Sequence, residues 1–186
     1  EHLPYKQRVT GSNPVAPTKS PHGDFFLPMH SLPAQIRAHT LELHPLKAVW
    51  WKKHSMLICA DVHIGKGAHF RNSGIPIPKR VNDSNLWNLV VLIEHYKPEK
   101  ILFLGDLFHS SVNEEWEELN DCLAHFPTLQ RLLVKGNHEI ESSSAYEQIG
   151  FEIHDNLQIE DILFTHEPPT VTTSDTYTIC GHVHPA

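Results

Sequence analysis

Five short apolar runs punctuate this chain, and each one breaks into glycine or into residues able to bind metal. Met56-Leu57-Ile58-Cys59-Ala60 leads into Asp61-Val62-His63, Ile101-Leu102-Phe103-Leu104 into Gly105-Asp106, and Leu132-Leu133-Val134 into Gly136-Asn137-His138. Ile162-Leu163-Phe164 leads into His166, and Tyr177-Thr178-Ile179-Cys180 into Gly181-His182-Val183-His184. Runs of this length, rich in Ile, Leu and Val, predict strands buried on both faces. Two opening strands are predicted ahead of them, Leu41-Glu42-Leu43 and Ala48-Val49-Trp50-Trp51, with His44-Pro45 as the turn between.

From Val81 to Tyr96 the period changes: Leu86, Leu89, Val90 and Ile93 follow the spacing of an amphipathic helix, and Pro98 stops it. A second helix is predicted from Asn113 to His125, with Asn113 as its cap and Glu114, Glu115 and Glu117 at the positive end of its dipole. The coarse order is strand, strand, helix, strand, helix, strand, short helix, then strands, with no internal repeat.

Residues 1–28 follow neither period. They hold five prolines (Pro4, Pro14, Pro17, Pro21 and Pro28) and a Gly-Ser-Asn-Pro turn signal, the composition of a disordered or weakly ordered arm. The expectation is that Met29 is the natural start, that residues 1–28 are a non-native or upstream extension, and that 29–186 form one domain. A chain of 186 residues is long enough for one sizeable core.

Ligand chemistry follows from where the strands end. Open α/β sheets gather ligands at the carboxyl ends of their strands. Successive side chains on an extended backbone alternate, so Asp61 and His63 are expected to point the same way, as are His182 and His184. Carboxylate, imidazole and amide oxygen together suit borderline divalent ions, manganese first, with iron or zinc as alternatives. No thiolate stands at a ligand position, which argues against a structural zinc site. Two ions about 3.5 to 4 Å apart can share a carboxylate, the arrangement that serves in-line displacement at phosphorus. Asp106 is the candidate bridge.

At these residues the chain resembles the calcineurin-like metallophosphoesterase superfamily, whose blocks run D-x-H, G-D, G-N-H-D/E, H and G-H-x-H in this order. The likeness spans about residue 48 to residue 184. It implies that Asp61, His63, Asp106 and His184 hold one ion, that Asp106, Asn137, His166 and His182 hold the other, and that His138 stands near the leaving group. Asn137, His138 and Asp106 are thus the implied catalytic residues. The implied fold is an α/β layered sandwich, two mixed sheets flanked by helices. Since members usually continue with strands that close the second sheet, the domain is expected to be short of its last strands.

The segment from Ala60 to Arg71, followed by Gly74-Ile75-Pro76-Ile77-Pro78, looks like the bacterial DNA-ligase-associated members. Gly105-Asp106-Leu107-Phe108-His109 is similar to the block of double-strand-break repair nucleases in the superfamily. Together they imply a nuclease in a DNA repair setting, with a DNA ligase and a helicase-like protein as functional partners. Arg71, His109, Lys66 and His69 become the candidate substrate contacts. Members often carry a second aspartate after G-D, where this chain has His109 and Ser110, so the orientation of His138 is left to His109 or Glu139. Trp50 and Trp51 offer rings that could stack on bases, although at least one is expected in the core.

A formal net charge of -7 argues at first against a nucleic-acid substrate. Part of that acidity is ligand, and two divalent ions would bring the chain to about -3. Lys66, Arg71, Lys79 and Arg80 also cluster just after the first metal block. Cys59, Cys122 and Cys180 are odd in number, and two of them sit inside apolar strands, so free thiols in a reducing, cytoplasmic compartment are expected. No apolar run approaches the length of a bilayer span. Alternatives to the nuclease are a small-molecule phosphodiesterase acting on cyclic nucleotides or nucleotide conjugates, and an inactive scaffold. The intact ligand set argues against the scaffold.

Overall fold

A hairpin hidden from the sequence pattern opens the fold: Leu32–Ile36 (β1) pairs antiparallel with His39–His44 (β2). Its turn works because Arg37 takes a left-handed conformation, φ 51°. Pro33 has no N–H to donate, so it suits the outer strand that β1 forms. In this computed structural model, which describes residues 30–64, 80–108, 114–136, 143–170 and 174–182, the hairpin belongs to a seven-stranded sheet.

Ala48–Trp51 (β3) and Met56–Ala60 (β4) continue the antiparallel order. From β4 onward the sheet is parallel, through Lys100–Leu104 (β5), Gln130–Val134 (β6) and Phe151–His154 (β7). Helices Arg80–Tyr96 (α1), Glu114–Ala124 (α2) and Ser143–Gln148 (α3) lie between these strands in sequence, the crossovers that parallel pairing demands. A second, mixed sheet holds Leu157–Ile159 (β8), Ile162–Thr165 (β9) and Tyr177–Cys180 (β10), with β9 in the middle. The α/β layered sandwich expected from the motifs is the fold observed.

Alternation splits the apolar runs between two cores. Leu57, Cys59, Ile101, Phe103 and Leu133 face the helices, packing with Leu89, Leu92 and Ile93 of α1, Trp116, Leu119 and Leu123 of α2, and Tyr146 of α3. Met56, Ile58, Leu102, Leu104, Leu132 and Val134 face the second sheet, where they meet Ile162 and Phe164. Each fully buried Leu or Ile contributes about 1.5 to 3 kcal/mol relative to exposure. Central strands loaded on both faces give the residues at their tips a rigid base.

Burial on both faces holds for β4, β5 and β6 but not for β9 and β10, whose patterns alternate or stay half-exposed. The second sheet has a core on one side only, so Cys180 is half-buried while Cys59 and Cys122 are buried, and all three are free. Neither tryptophan offers a ring to bases. Trp50 stacks on Tyr96 at 5.0 Å in the helix-side core, and Trp51 is fully buried between the sheets. Helix α1 starts one residue before the predicted Val81 and ends at Tyr96, where Lys97, φ 47°, returns its N–H to Ile93. The extension proposed for residues 1–28 and the cap at Asn113 lie outside the described residues.

An ion-pair cluster ties the two sheets together where β4 and β9 begin. His39 Nε2 lies 2.5 Å from Asp161 Oδ1, Arg37 Nη1 donates to the Asp175 carbonyl at 3.1 Å, and Glu160 takes Lys53 at 2.7 Å and His54 at 3.0 Å. The His39 hydrogen bond comes first among the causes that hold the Asp161 carboxyl below its usual range.

Candidate metal centre

At the opposite pole, β4, β5 and β9 end together, and the chain turns sharply at four of the five described candidate ligands. Asp61 (φ 49°), His63 (φ 52°), Asp106 (φ 49°) and His182 (φ 62°) all adopt the left-handed region. Such a conformation costs a non-glycine residue about 1 to 3 kcal/mol and persists only where surrounding structure enforces it. The enforcement is visible: His63 N–H donates to the Asp106 carbonyl at 3.0 Å and Ile64 N–H to the Leu107 carbonyl at 2.8 Å. Asp61 and His63 therefore converge through two left-handed turns, and the alternation expected of an extended strand is not what aims them.

Asp61, His63 and Asp106 each place one donor atom so that all lie within 4.8 Å of one another, and Asp106, His166 and His182 do the same. Asp106 belongs to both groups and is 3% exposed. His166 Nδ1 donates to the Leu104 carbonyl at 3.0 Å, leaving Nε2 facing Asp106 Oδ1 at 3.5 Å. A histidine whose second nitrogen is held in this way has its tautomer and ring plane set for ligation. His182 N–H donates to both carboxylate oxygens of Asp61, at 3.0 and 3.2 Å, joining the ends of β4 and β10.

Two glycines make room for this convergence. A Cβ at Gly105, φ +72°, would collide with the His166 ring and come 2.8 Å from Gly136 Cα. One at Gly181 would meet the Leu104 carbonyl at 2.6 Å. Only a bare backbone lets these strand ends approach so closely.

The donor set fits a pair of divalent ions. Two carboxylates gathered among imidazoles, one of them buried, are costly without positive charge beside them. Oxygen and nitrogen donors suit borderline metals. The nearby thiol does not compete, because burial pushes Cys59 up to about 12 and keeps it protonated.

Five of the residues singled out by motif are thus brought together: Asp61, His63, Asp106, His166 and His182. Asn137, His138, His184 and Glu139 lie outside the described residues, as do the candidate substrate contacts Lys66, His69, Arg71 and His109. Gly136, the last described residue before Asn137, packs against Gly105 at the edge of the cluster. No motif marked Leu104 as the orienter of His166, since a backbone carbonyl has no sequence signal. Nor did any mark Asp155 and Asn156, which share a groove with His166. A third donor group, His39, Glu160 and Asp161, is the ion-pair cluster at the other pole. Lys53 and Arg37 already neutralise its carboxylates.

No helix among the described residues is long and apolar enough to cross a membrane. In structure, the chain is similar to the nuclease MPE of Pseudomonas putida, with a TM-score of 0.71 and 26% identity over 84% of this chain and 74% of that one. A protein of unknown function from Aquifex aeolicus aligns with a TM-score of 0.47 and 20% identity over 70% of this chain and 80% of that one. Among curated proteins none matches significantly. The model of the calcineurin-like phosphoesterases matches residues 54–185, from just before β4 to beyond His182. With most of the chain accounted for in this way and its donors converging at one pole, the protein belongs to the calcineurin-like phosphoesterases and is a metal-dependent phosphoesterase.

Proposed function

We propose that the protein is a two-metal phosphodiesterase acting on DNA, single-stranded or at ends, in a repair setting. The observation that carries this reading is the buried Asp106 common to two donor groups, which suits a pair of ions bridged by one carboxylate. The similarity to a protein described as a nuclease supports a polymeric diester substrate. The Ala60 to Arg71 segment supports the DNA-ligase-associated subgroup, hence a cytoplasmic location and association with a DNA ligase and a helicase-like protein.

Asp61, His63, Asp106 and His184 would hold one ion, and Asp106, Asn137, His166 and His182 the other, with manganese the preferred metal. Bound there, the ions would lower the pKa of a water and neutralise charge on the phosphoryl group. The chain's own residues do the rest. His138 protonates or electrostatically assists the leaving oxygen, work for which imidazole is well placed near neutral pH. Asn137 orients, and Arg71 takes phosphate oxygens in a fork that lysine cannot copy. Lys66, His69 and His109 are the further residues we assign to substrate contact.

The test is Mn-dependent cleavage of labelled single-stranded and duplex DNA beside bis-aryl phosphate and 2′,3′-cyclic nucleotides, with His138→Ala as the blank. DNA cleavage that vanishes in the variant is the expected result. Turnover of the small diesters alone would move the protein to nucleotide metabolism, and no turnover at all would make it a scaffold.

A further inference from the structure

Beside the metal centre, between the ends of β6, β7 and β9, lies a groove of about 340 Å³ lined by Lys135, Asp155, Asn156, Thr165, His166 and Glu167. His166 is both a wall of this groove and a member of the Asp106 donor group, so the two spaces adjoin. The volume stands at the low end of small-molecule sites, which run from about 300 to 1,000 Å³. It suits one nucleoside rather than a duplex.

Charge decides what kind of group fits. The groove's lysine is already committed, with Lys135 Nζ 3.0 Å from Asp155 Oδ1, and Glu167 adds a further carboxylate. The lining is therefore net negative, and a second phosphate would be repelled. An uncharged ring bearing N–H donors is not. Thr165 Oγ1 donates to the Glu167 carbonyl at 2.7 Å, which pins the backbone next to His166. The Asn156 amide and the Glu167 carboxylate make no hydrogen bond to another described residue and are exposed to whatever enters. Carboxylates accept from exocyclic amines, and amides pair with adenine edges.

We propose that this groove is a nucleobase subsite that holds the base next to the scissile phosphate through Asn156 and Glu167, preferring bases with an exocyclic amine over thymine. The inference deepens the phosphodiesterase reading and rests on it for the position of the phosphate. The binding of a base does not depend on turnover.

The experiment compares 5′-nitrophenyl esters of deoxycytidylate and thymidylate with bis-nitrophenyl phosphate, using the full chain with manganese. It also measures binding of free deoxycytidine and thymidine by NMR. The deoxycytidine ester should be preferred. Asn156→Ala and Glu167→Gln should each raise its KM about tenfold, leave bis-nitrophenyl phosphate within about twofold, and weaken deoxycytidine binding alike. Equal losses on all three substrates, or no loss on any, would overturn the subsite. If the wild type turns over no diester, the phosphodiesterase reading falls by itself. Deoxycytidine binding that Asn156→Ala weakens then still supports the subsite, and absence of such binding overturns it.

Discussion

His166 Nδ1 and the carbonyl oxygen of Leu104 are 3.0 Å apart, so the last residue of β5 orients a ring carried by the other sheet. The bond couples the two layers at the one pole where their strands end together. It also decides which imidazole nitrogen faces Asp106. The site's geometry thus depends on how the sheets are stacked, and changes that separate them should be read first in metal content.

Gly105→Ala is the sharpest probe of that stacking. The new Cβ would strike the His166 ring and force a side chain into a backbone with φ +72°. Metal content should fall to one ion or fewer per chain, with the fold destabilised by about 1 to 3 kcal/mol. Elemental analysis of the dialysed variant beside a denaturant melt reads both. Full metal content with wild-type activity would mean that the close approach at Gly105 is not needed.

Asp106→Ala and His138→Ala should separate metal holding from proton transfer. Asp106 stands in both donor groups, so its loss should release both ions. His138→Ala should keep both and lose about 100-fold or more of turnover. Equal metal content and equal activity in the two variants would contradict these roles.

Arg131 is a purely structural prediction. Its guanidinium donates from Nη1 to the Ile149 carbonyl at 2.6 Å and from Nη2 to the Leu123 carbonyl at 2.8 Å, tying the end of α2 to the turn before β7. Arg131→Met leaves both carbonyls without that donor, and should cost about 1 to 3 kcal/mol. Metal binding should persist in the folded fraction. Loss of metal before loss of fold in a urea titration would contradict this separation.

His44 gives the fold a pH dependence away from the site. Burial, with His95 adding repulsion, holds its imidazole below the ordinary 6.5. Because the folded value is depressed, the unfolded chain takes up a proton first. The contribution to stability is complete above pH 6.5 and is lost as pH falls from there toward the folded value. His44 Nδ1 accepts the Leu46 N–H at 3.1 Å, a bond that the amide oxygen of His44→Asn can replace. Melts of chelator-treated protein should show a shallower decline between about pH 7 and pH 5 in the variant. Parallel curves would remove His44 as the cause.

The strands β4, β5 and β6 were legible because burial on both faces leaves an unbroken apolar run, whatever the neighbours are. Strand β1 was not, since Leu32-Pro33-Ala34 carries no alternation and is held by pairing to β2. The groove residues Asp155 and Asn156 were equally silent. They sit in a turn between β7 and β8, and only stacking of the second sheet brings them to His166.

By itself the sequence determined which candidate donors the chain carries and in what order, because ligand chemistry needs particular side chains and buried strands need particular runs. It reached the right convergence of Asp61 and His63 by the wrong geometry, since left-handed turns depend on contacts made across the sheet. Tertiary structure alone decided that Leu104 aims His166, that His182 N–H ties back to the Asp61 carboxylate, and that both Trp50 and Trp51 are core. Each of these is a relation between segments far apart in the chain, and such relations exist only once two separately patterned layers are packed against each other.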